Sequence, residues 1–443
     1  MRFVVTTLGS SGDLFPFLPV ARALVQRGHV VRFAANPGFR HVVEGEGFEF
    51  VPVGVELGAN EYSIHPEILS PRRGGFIGVR SLFRYFLLPH LHRVFNDLRS
   101  AARGCDALLT HPAQLAAPMV AERLSIPWLT LSMFPGNIPS RYTVPSGSTH
   151  RALTGRLGES LNLFAWNAAR WIMRREFDGP LNAVRGSLGL AERRDMFLLG
   201  GLSPRGVLLL CSQAYSGRPS DWSDHFVCTG FTPFDTPGDA AVPRALRSFL
   251  EAGDPPVLVS LGESAAYAPE DFFDQARRAL EGIRRRGVFL VGRDANMTCL
   301  PATSSGWWTA VPFAPFSEVL PSCAAFLHAG GFGATEAALR AGVPQVIVPR
   351  AFDQPWHAAR VCALGLGTSV PWARRTVARL EEALQHVLRD AATADRARTM
   401  SDKLAREDGP RRAAERIERT LGHWGPATKA GGPLPGQGFV TSN

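Results

Sequence analysis

Twice along the chain an uninterrupted apolar run ends in glycine and opens a helix, and this repetition limits the possible folds more than any other feature. The first instance is the run over 3–8, followed by Gly9-Ser10-Ser11-Gly12 and a helical pattern over 17–27 with Leu18, Ala21, Leu24 and Val25 on one face. Gly28 closes that helix and a second strand follows over 30–34. Strands without polar alternation are buried on both faces, as in parallel sheets. The alternation continues through a strand at 107–110, a helix near 116–124 and a strand at 128–131. A helical stretch rich in arginine and aromatics follows over 151–196, and then a segment broken by Pro233, Pro237, Gly238, Pro243, Gly253 and Pro255. The pattern restarts with a strand at 257–261, a helix at 271–286 and strands at 288–291, 324–327 and 345–348. Two such runs predict an α/β protein of two doubly wound, Rossmann-like domains facing across a cleft. The expected division is a first domain over 1–230, a linker with one short helix over 231–255, a second domain over 256–404, a helix over 405–423 and a Gly/Pro-rich tail over 424–443. Ligands of such sheets bind beyond the carboxyl ends of the strands, so the cleft is the expected site.

Composition narrows the class. With 45% hydrophobic and 20% charged residues the chain has enough apolar surface to fold, which excludes disorder over most of its length. No stretch reaches the roughly 18 apolar residues of a membrane span. The N-terminus runs directly into a strand, so a cytoplasmic location is expected. Six scattered cysteines without a C-x-x-C pair read as free thiols, not as a zinc site or disulfide framework. The net charge of +9 is almost all arginine, spread along the chain, which argues against nucleic acid and leaves an anionic substrate or lipid surface compatible. The stretch 80–99, with Leu82, Phe83, Phe86, Leu87, Leu91 and Phe95 against four arginines, is a face able to lie on an anionic membrane, but Pro89 interrupts it and a solvated helix beside an acceptor pocket is the favoured alternative.

The chemistry concentrates in His328-Ala329-Gly330-Gly331-Phe332-Gly333-Ala334-Thr335-Glu336, between a strand and a helix over 335–341. Glycines permit close backbone approach, and a helix start aims unpaired N–H groups at an anion, here a diphosphate. His328 has a donor for a phosphate oxygen and Glu336 an acceptor for ribose hydroxyls; the bland alternative is glycines that only pack helix on sheet. Asp353-Gln354, at the end of the next strand, suits sugar hydroxyls, or else Asp353 merely caps a helix. Asp13, in the first strand–helix turn, is either an acidic residue favoured by a helix dipole or a general base facing the diphosphate site. His111, at the end of the strand 107–110, is a second ionisable group on that rim. The absence of D-x-D points away from a metal-held diphosphate, and the absence of a Walker-type G-x-x-x-x-G-K away from ATP hydrolysis.

Over essentially its whole length the chain resembles GT-B fold, nucleotide-sugar-dependent glycosyltransferases of the family 1 type, with the most specific matches over 328–361 and 6–29. Within that family it most resembles bacterial rhamnosyltransferases of the rhamnolipid type, on Phe313-Ala314-Pro315, Val319-Leu320-Pro321, 328–331 and 341–354, and antibiotic glycosyltransferases share these features. The resemblance implies diphosphate contacts from His328 and the backbone of Gly331, Gly333, Ala334 and Thr335, ribose contact from Glu336, and donor-sugar contacts from Asp353 and Gln354. It places Asp13 where plant relatives carry a catalytic histidine and His111 where they carry its partner aspartate, an inverted dyad with Asp13 as base. It also implies a C-terminal helix that packs back on the first domain. Two departures stand out. Gly262-Glu263-Ser264 replaces the usual Gly-Ser, which passes the phosphate role to Ser264, and Phe313-Ala314-Pro315-Phe316 replaces the base-stacking Trp-x-Pro-Gln, which leaves Phe313 as the aromatic face.

The expected function is an inverting, metal-independent transfer of a sugar from a UDP- or dTDP-sugar to a hydrophobic acceptor, a secondary-metabolite aglycone or a lipid. The nucleotide sugar is a co-substrate and no cofactor is expected. Gly12, Phe15 and Phe134 are the expected acceptor-loop residues, with Phe76, Phe83, Phe86, Trp166 and Trp171 as further aromatic candidates. The alternatives are a catalytically silent GT-B protein that binds a nucleotide sugar or activates a partner enzyme, and a sugar-nucleotide epimerase. The oligomeric state is left open.

Overall fold

The computed structural model describes residues 1–9, 11–55, 76–145, 152–235, 242–262, 271–292 and 306–422. Two parallel sheets organise it. The N-terminal sheet contains β1 (Arg2–Thr6), β2 (Val30–Ala35), β3 (Glu49–Pro52), β4 (Ala107–Thr110), β5 (Trp128–Ser132), β6 (Val207–Leu209) and β7 (Phe226–Cys228). Their order is β3-β2-β1-β4-β5-β6-β7. The second sheet contains β8 (Val257–Ser260), β9 (Gly287–Leu290), β10 (Trp308–Val311), β11 (Ala325–His328), β12 (Gln345–Ile347) and β13 (Gly367–Ser369), in the order β10-β9-β8-β11-β12-β13. This is the two-domain α/β architecture expected from the alternation. In each sheet the first strand in sequence lies centrally, so the strand order reverses there and opens a crevice beside β1 and β8.

In the N-terminal domain β1 is buried from Phe3 to Thr6 and pairs on both sides, with β2 and β4. Gly9, at φ +108, lets the chain turn into the one-turn helix α1 (Ser11–Leu14), which the glycine-serine turn did not announce. Helix α2 (Phe17–Gln26) then buries Phe17, Leu18, Val20, Ala21 and Leu24 under the sheet. Helix α3 (Phe76–Leu82) leads through a π-turn at Phe83–Leu87 into α4 (Leu88–Ala101), with Pro89 in the first turn of α4, where a missing N–H costs little. Phe83, Phe86, Leu91 and Phe95 are 1–8% exposed, packed into the core with Phe177 and Phe197 as neighbours of Phe83. The stretch 80–99 therefore does not offer its apolar face to a membrane: Phe83, Phe86, Leu91 and Phe95 belong to the protein's own core, and Arg80 pairs with Glu176 at 2.5 Å. A short helix at Arg40–Gly45 and helices α5 (Ala116–Leu124), α6 (Gly155–Ser187) and α7 (Gln213–Ser216) also belong to this half.

In the second domain α8 (Phe272–Gly282) follows β8, α9 (Phe332–Ala341) follows β11, and α10 (Gln354–Ala363) follows β12. Helix α9 starts three residues earlier than the 335–341 pattern indicates, directly at the glycines. Helices α11 (Ala391–Leu404) and α12 (Gly409–Leu421) end the described chain. Helix α12 lies against α2, where Glu418 accepts from Arg27 Nη2 at 2.6 Å and meets His29 Nε2 at 2.8 Å. Among the described residues no helix is long and apolar enough to cross a membrane, and the five described cysteines are free thiols.

Candidate functional site

The carboxyl ends of both sheets open on one cleft of about 1530 Å³. Its N-terminal wall carries Asp13 after β1, His111 after β4 and Phe134 after β5; its C-terminal wall carries Gly262, Gly331, Arg350 and Asp353 after β8, β11 and β12. Gly12, Phe15, Gly333, Ala334, Phe313, Glu336 and Gln354 also line it. His328 and Thr335 do not. Ser264 lies outside the described residues, as does Glu263.

On the first wall Asp13 and His111 stand together, with His111 Nε2 3.6 Å from Asp13 Oδ1. Gly9 makes this possible: a Cβ there would lie 2.1 Å from Asp13 Oδ2. The His111 ring is fixed from behind, since Nδ1 accepts the Ala113 N–H at 3.2 Å, which leaves the proton of the neutral ring on Nε2, toward the carboxylate. Gln114 braces the loop through Thr6 Oγ1 and the Thr7 carbonyl. Burial pushes the His111 imidazole down to about 4, so it is neutral at physiological pH. The opposing influence on it comes from Asp353, which puts the second domain's carboxylate within electrostatic reach of the pair across the cleft.

On the second wall Gly331 is the N-cap of α9, and the first helical hydrogen bond runs from Thr335 N–H to the Gly331 carbonyl at 3.0 Å. The expectation for Thr335 is thereby corrected. Its amide is spent in the helix and its side chain is buried, so the amides left for an anion are those of Gly331, Phe332, Gly333 and Ala334. Gly331 and Gly333 have no atom within 4 Å of where a Cβ would stand, whereas at Gly330 (φ +86) a Cβ would meet Ile347 at 2.5 Å. Two glycines thus keep space clear at the helix start and the third serves the backbone.

His328 is also corrected. It is fully buried, its Nδ1 accepts from Gly330 N–H at 3.1 Å and its Nε2 meets Gln345 Oε1 at 3.0 Å, while burial pushes the imidazole down to about 3. Both nitrogens are occupied, so the ring supports the glycine turn from beneath and does not face the cleft. Glu336, 5% exposed, has its Oε1 buried without a partner, and burial lifts the carboxyl to about 8, against the opposing pull of Arg340. A buried, unpartnered oxygen in a cleft wall is an acceptor waiting for a donor.

Asp353 precedes α10 but makes no side-chain cap; its Oδ2 lies 3.2 Å from His357 Nε2. Gln354 turns its Oε1 to the N–H groups of Arg350 and Ala351 at 2.8 and 3.2 Å, and its amide N–H₂ has no partner among the described residues. Phe352, between them, holds φ +56, a strained conformation for a bulky residue. Phe313 is half-buried on the rim of this wall. Of the acceptor-side aromatics, Phe15, Phe76, Phe134 and Trp166 line the cleft; Phe83 and Phe86 are core, and Trp171 is 62% exposed on the outer face of α6. Phe15 packs on Phe234, and Phe134 on Trp356 of the opposite domain.

Sequence reasoning missed Arg350, which lines the donor-side wall with its guanidinium 4.4 Å from the Trp372 ring. The signal was available, because Arg350 stands immediately beyond a parallel strand. His357 and Tyr215 were also missed, and nothing local marks either. Among the described residues no group of three His, Cys, Asp or Glu side chains is arranged to hold a metal ion.

Residues 3–140 match the family described as the glycosyltransferase family 28 N-terminal domain, and residues 305–420 match the erythromycin biosynthesis protein CIII-like C-terminal domain. Over 439 residues the chain is 33% identical to O-mycaminosyltylonolide 6-deoxyallosyltransferase of Streptomyces fradiae, covering 96% of this chain and 99% of that protein. Among solved structures, the glycotransferase of kitacinnamycin superposes with a TM-score of 0.70 at 22% identity, covering 95% of this chain and 99% of the other. The glycosyltransferase VinC, solved in complex with dTDP, superposes with a TM-score of 0.68 at 21% identity, covering 96% and 100%.

Proposed function

The chain belongs to the GT-B, family 1 glycosyltransferases of antibiotic type, and from that premise we propose that it transfers a sugar from a dTDP- or UDP-sugar to an apolar natural-product acceptor with inversion at the anomeric carbon. The donor lies along the second wall. The amides of Gly331, Phe332, Gly333 and Ala334, at the positive end of α9, receive the diphosphate; Glu336 accepts from the ribose, Phe313 faces the base, and Asp353 with the free amide of Gln354 holds the sugar. VinC, crystallised with dTDP, supports the thymidine form of the donor. The acceptor occupies the apolar half of the cleft between Phe15, Phe134 and Trp166, and a relative is named for transfer to O-mycaminosyltylonolide, a natural product that already carries one sugar.

Asp13 takes the proton from the acceptor hydroxyl as that oxygen attacks the anomeric carbon. The bond from that carbon to the diphosphate oxygen breaks in line, and its electron pair leaves with the nucleoside diphosphate. His111 stays neutral and keeps its Nε2–H on the side of Asp13, 3.6 Å from the carboxylate, an electrostatic contact that steadies it without competing for the proton. The leaving group is stabilised by the helix terminus and backbone amides, with no step assigned to a metal.

One observation carries this reading: the Asp13–His111 pair, the open helix start of α9 and Asp353 line the same cleft. The test is turnover by Asp13→Asn. A loss of about a hundredfold or more with unchanged donor affinity is expected for a missing general base. Full turnover would remove the role, as strong inhibition by EDTA would remove the metal-free mechanism and a retained anomer the inversion.

A further inference from the structure

Asp353 does not cap its helix, so its carboxylate must be oriented by something else. His357, one turn into α10 and 1% exposed, brings Nε2 to 3.2 Å from Oδ2, an ion-pair contact that is not aligned as a hydrogen bond and leaves Nε2 otherwise without a partner. Its other nitrogen, Nδ1, lies 2.8 Å from the hydroxyl of Tyr215. Tyr215 is fully buried in α7 of the N-terminal domain, 142 residues away in sequence, and its backbone carbonyl accepts from Arg360 of α10. The His357 ring is enclosed by Phe332, which heads α9, by Phe134 from the acceptor side and by Trp356. One imidazole thus stands where the phosphate helix, the sugar helix, the acceptor loop and the opposite domain converge.

Proton placement gives this arrangement a direction. A buried tyrosine keeps its proton, and burial lifts Tyr215 well above the ordinary phenol value. When that O–H donates to Nδ1, the ring's proton is left on Nε2, on the side of Asp353. In the opposite tautomer a lone pair would face the carboxylate and repel it. The hydroxyl of one domain therefore selects the tautomer that anchors a carboxylate of the other.

We propose that His357 and Tyr215 are a positioning pair that fixes Asp353 toward the donor sugar, so that recognition of the sugar half of the donor is assembled across the domain contact. This rests on the reading of Asp353 as a donor-sugar ligand. The pair touches neither the diphosphate nor the base, so its loss should be felt by a nucleotide sugar and not by the bare nucleotide.

Binding by the full chain of thymidine diphosphate and dTDP-glucose, with uridine diphosphate and UDP-glucose in parallel, tests this. For Tyr215→Phe we expect the dissociation constant for the sugar nucleotide to rise about tenfold, as for a lost buried hydrogen bond, and that for the bare diphosphate to stay within about twofold. His357→Leu should behave like Tyr215→Phe, and His357→Gln should recover most of the affinity, because an amide can accept from the tyrosine and donate to the carboxylate. Equal weakening of both ligands, or no change in either, overturns the pair. Asp353→Asn separates the premises. If it spares sugar-nucleotide binding, the donor-sugar role of Asp353 falls; if it impairs that binding while Tyr215→Phe does not, the positioning pair alone falls.

Discussion

Burial holds His111 and His328 neutral, His111 at about 4 and His328 at about 3, against an ordinary value of 6.5. In the unfolded chain both would take up protons near pH 6.5, so the folded state keeps its full advantage only above that pH and loses it progressively as pH falls toward 4. His111→Gln removes one such site, and the drop in melting temperature from pH 8 to pH 5 should shrink; an unchanged drop would contradict the burial of the ring. Glu336 runs in the opposite sense. Its carboxyl is raised from 4.5 to about 8, so it stays protonated in the empty site at pH 7, and its contribution to stability is lost as pH rises from 4.5 through 8. If ribose hydroxyls donate to it, binding favours the charged form and releases a proton. Calorimetric titration with thymidine diphosphate at pH 7 should then show heats that depend on the buffer's ionisation enthalpy, and Glu336→Gln should abolish that dependence. Identical heats in all buffers would count against ribose recognition by this carboxylate.

At the level of elements, α9 separates two kinds of glycine. Gly333→Ala fits the helix and fills space that is open in the folded chain, so its melting temperature should hold or rise, with a gain of up to about 1 kcal/mol from helix propensity. The same methyl group obstructs the amides of the first turn, and affinity for thymidine diphosphate should fall about tenfold, as when a charge-assisted hydrogen bond is lost. Gly330→Ala should do the reverse damage: φ +86 and the contact with Ile347 predict a destabilisation of roughly 1–2 kcal/mol. Equal Tm losses in both variants would refute the distinction. The strand–glycine–helix pattern made α9, β11 and Glu336 legible from residue order alone, because apolar runs and glycines report backbone geometry directly. What the pattern does not carry is which way a ring turns at a strand end: His328 reads as a phosphate ligand by position, yet its two nitrogens are taken by Gly330 and Gln345 beneath the turn. The stretch 80–99 left two readings open: its apolar face is real, but periodicity cannot say whether the protein's own core or lipid covers it. Tyr215 and His357 were illegible for a plainer reason, since their partnership exists only once two sheets have folded and met.

At the scale of the molecule the domains are less separate than two sheets suggest. Phe332, Leu339, Ile347, Ala358 and Val361 of the second domain belong to the same continuous core as Phe3, Leu131, Leu209, Tyr215 and Phe231 of the first, and Met400 of α11 and Ile417 of α12 extend it. The ionic clamp between α12 and α2 adds little to this union. Although Arg27 and His29 hold the Glu418 carboxyl down at about 2, the group is largely solvated, and a pair of that kind contributes at most about 1 kcal/mol. Apolar contact that is continuous between domains couples their unfolding, because neither can melt without exposing the other's core. Calorimetric heating should therefore show a single cooperative transition in the native chain and in Glu418→Gln alike, shifted upward as a whole by thymidine diphosphate even though the site proposed for the nucleotide lies on the second wall alone. Two transitions, of which the ligand moves one, would mean that the domains melt independently. The pair Tyr215–His357 would then bridge a joint free to open, and the alignment of Asp353 with the Asp13 rim would depend on closure in each cycle, not on a contact built into the fold.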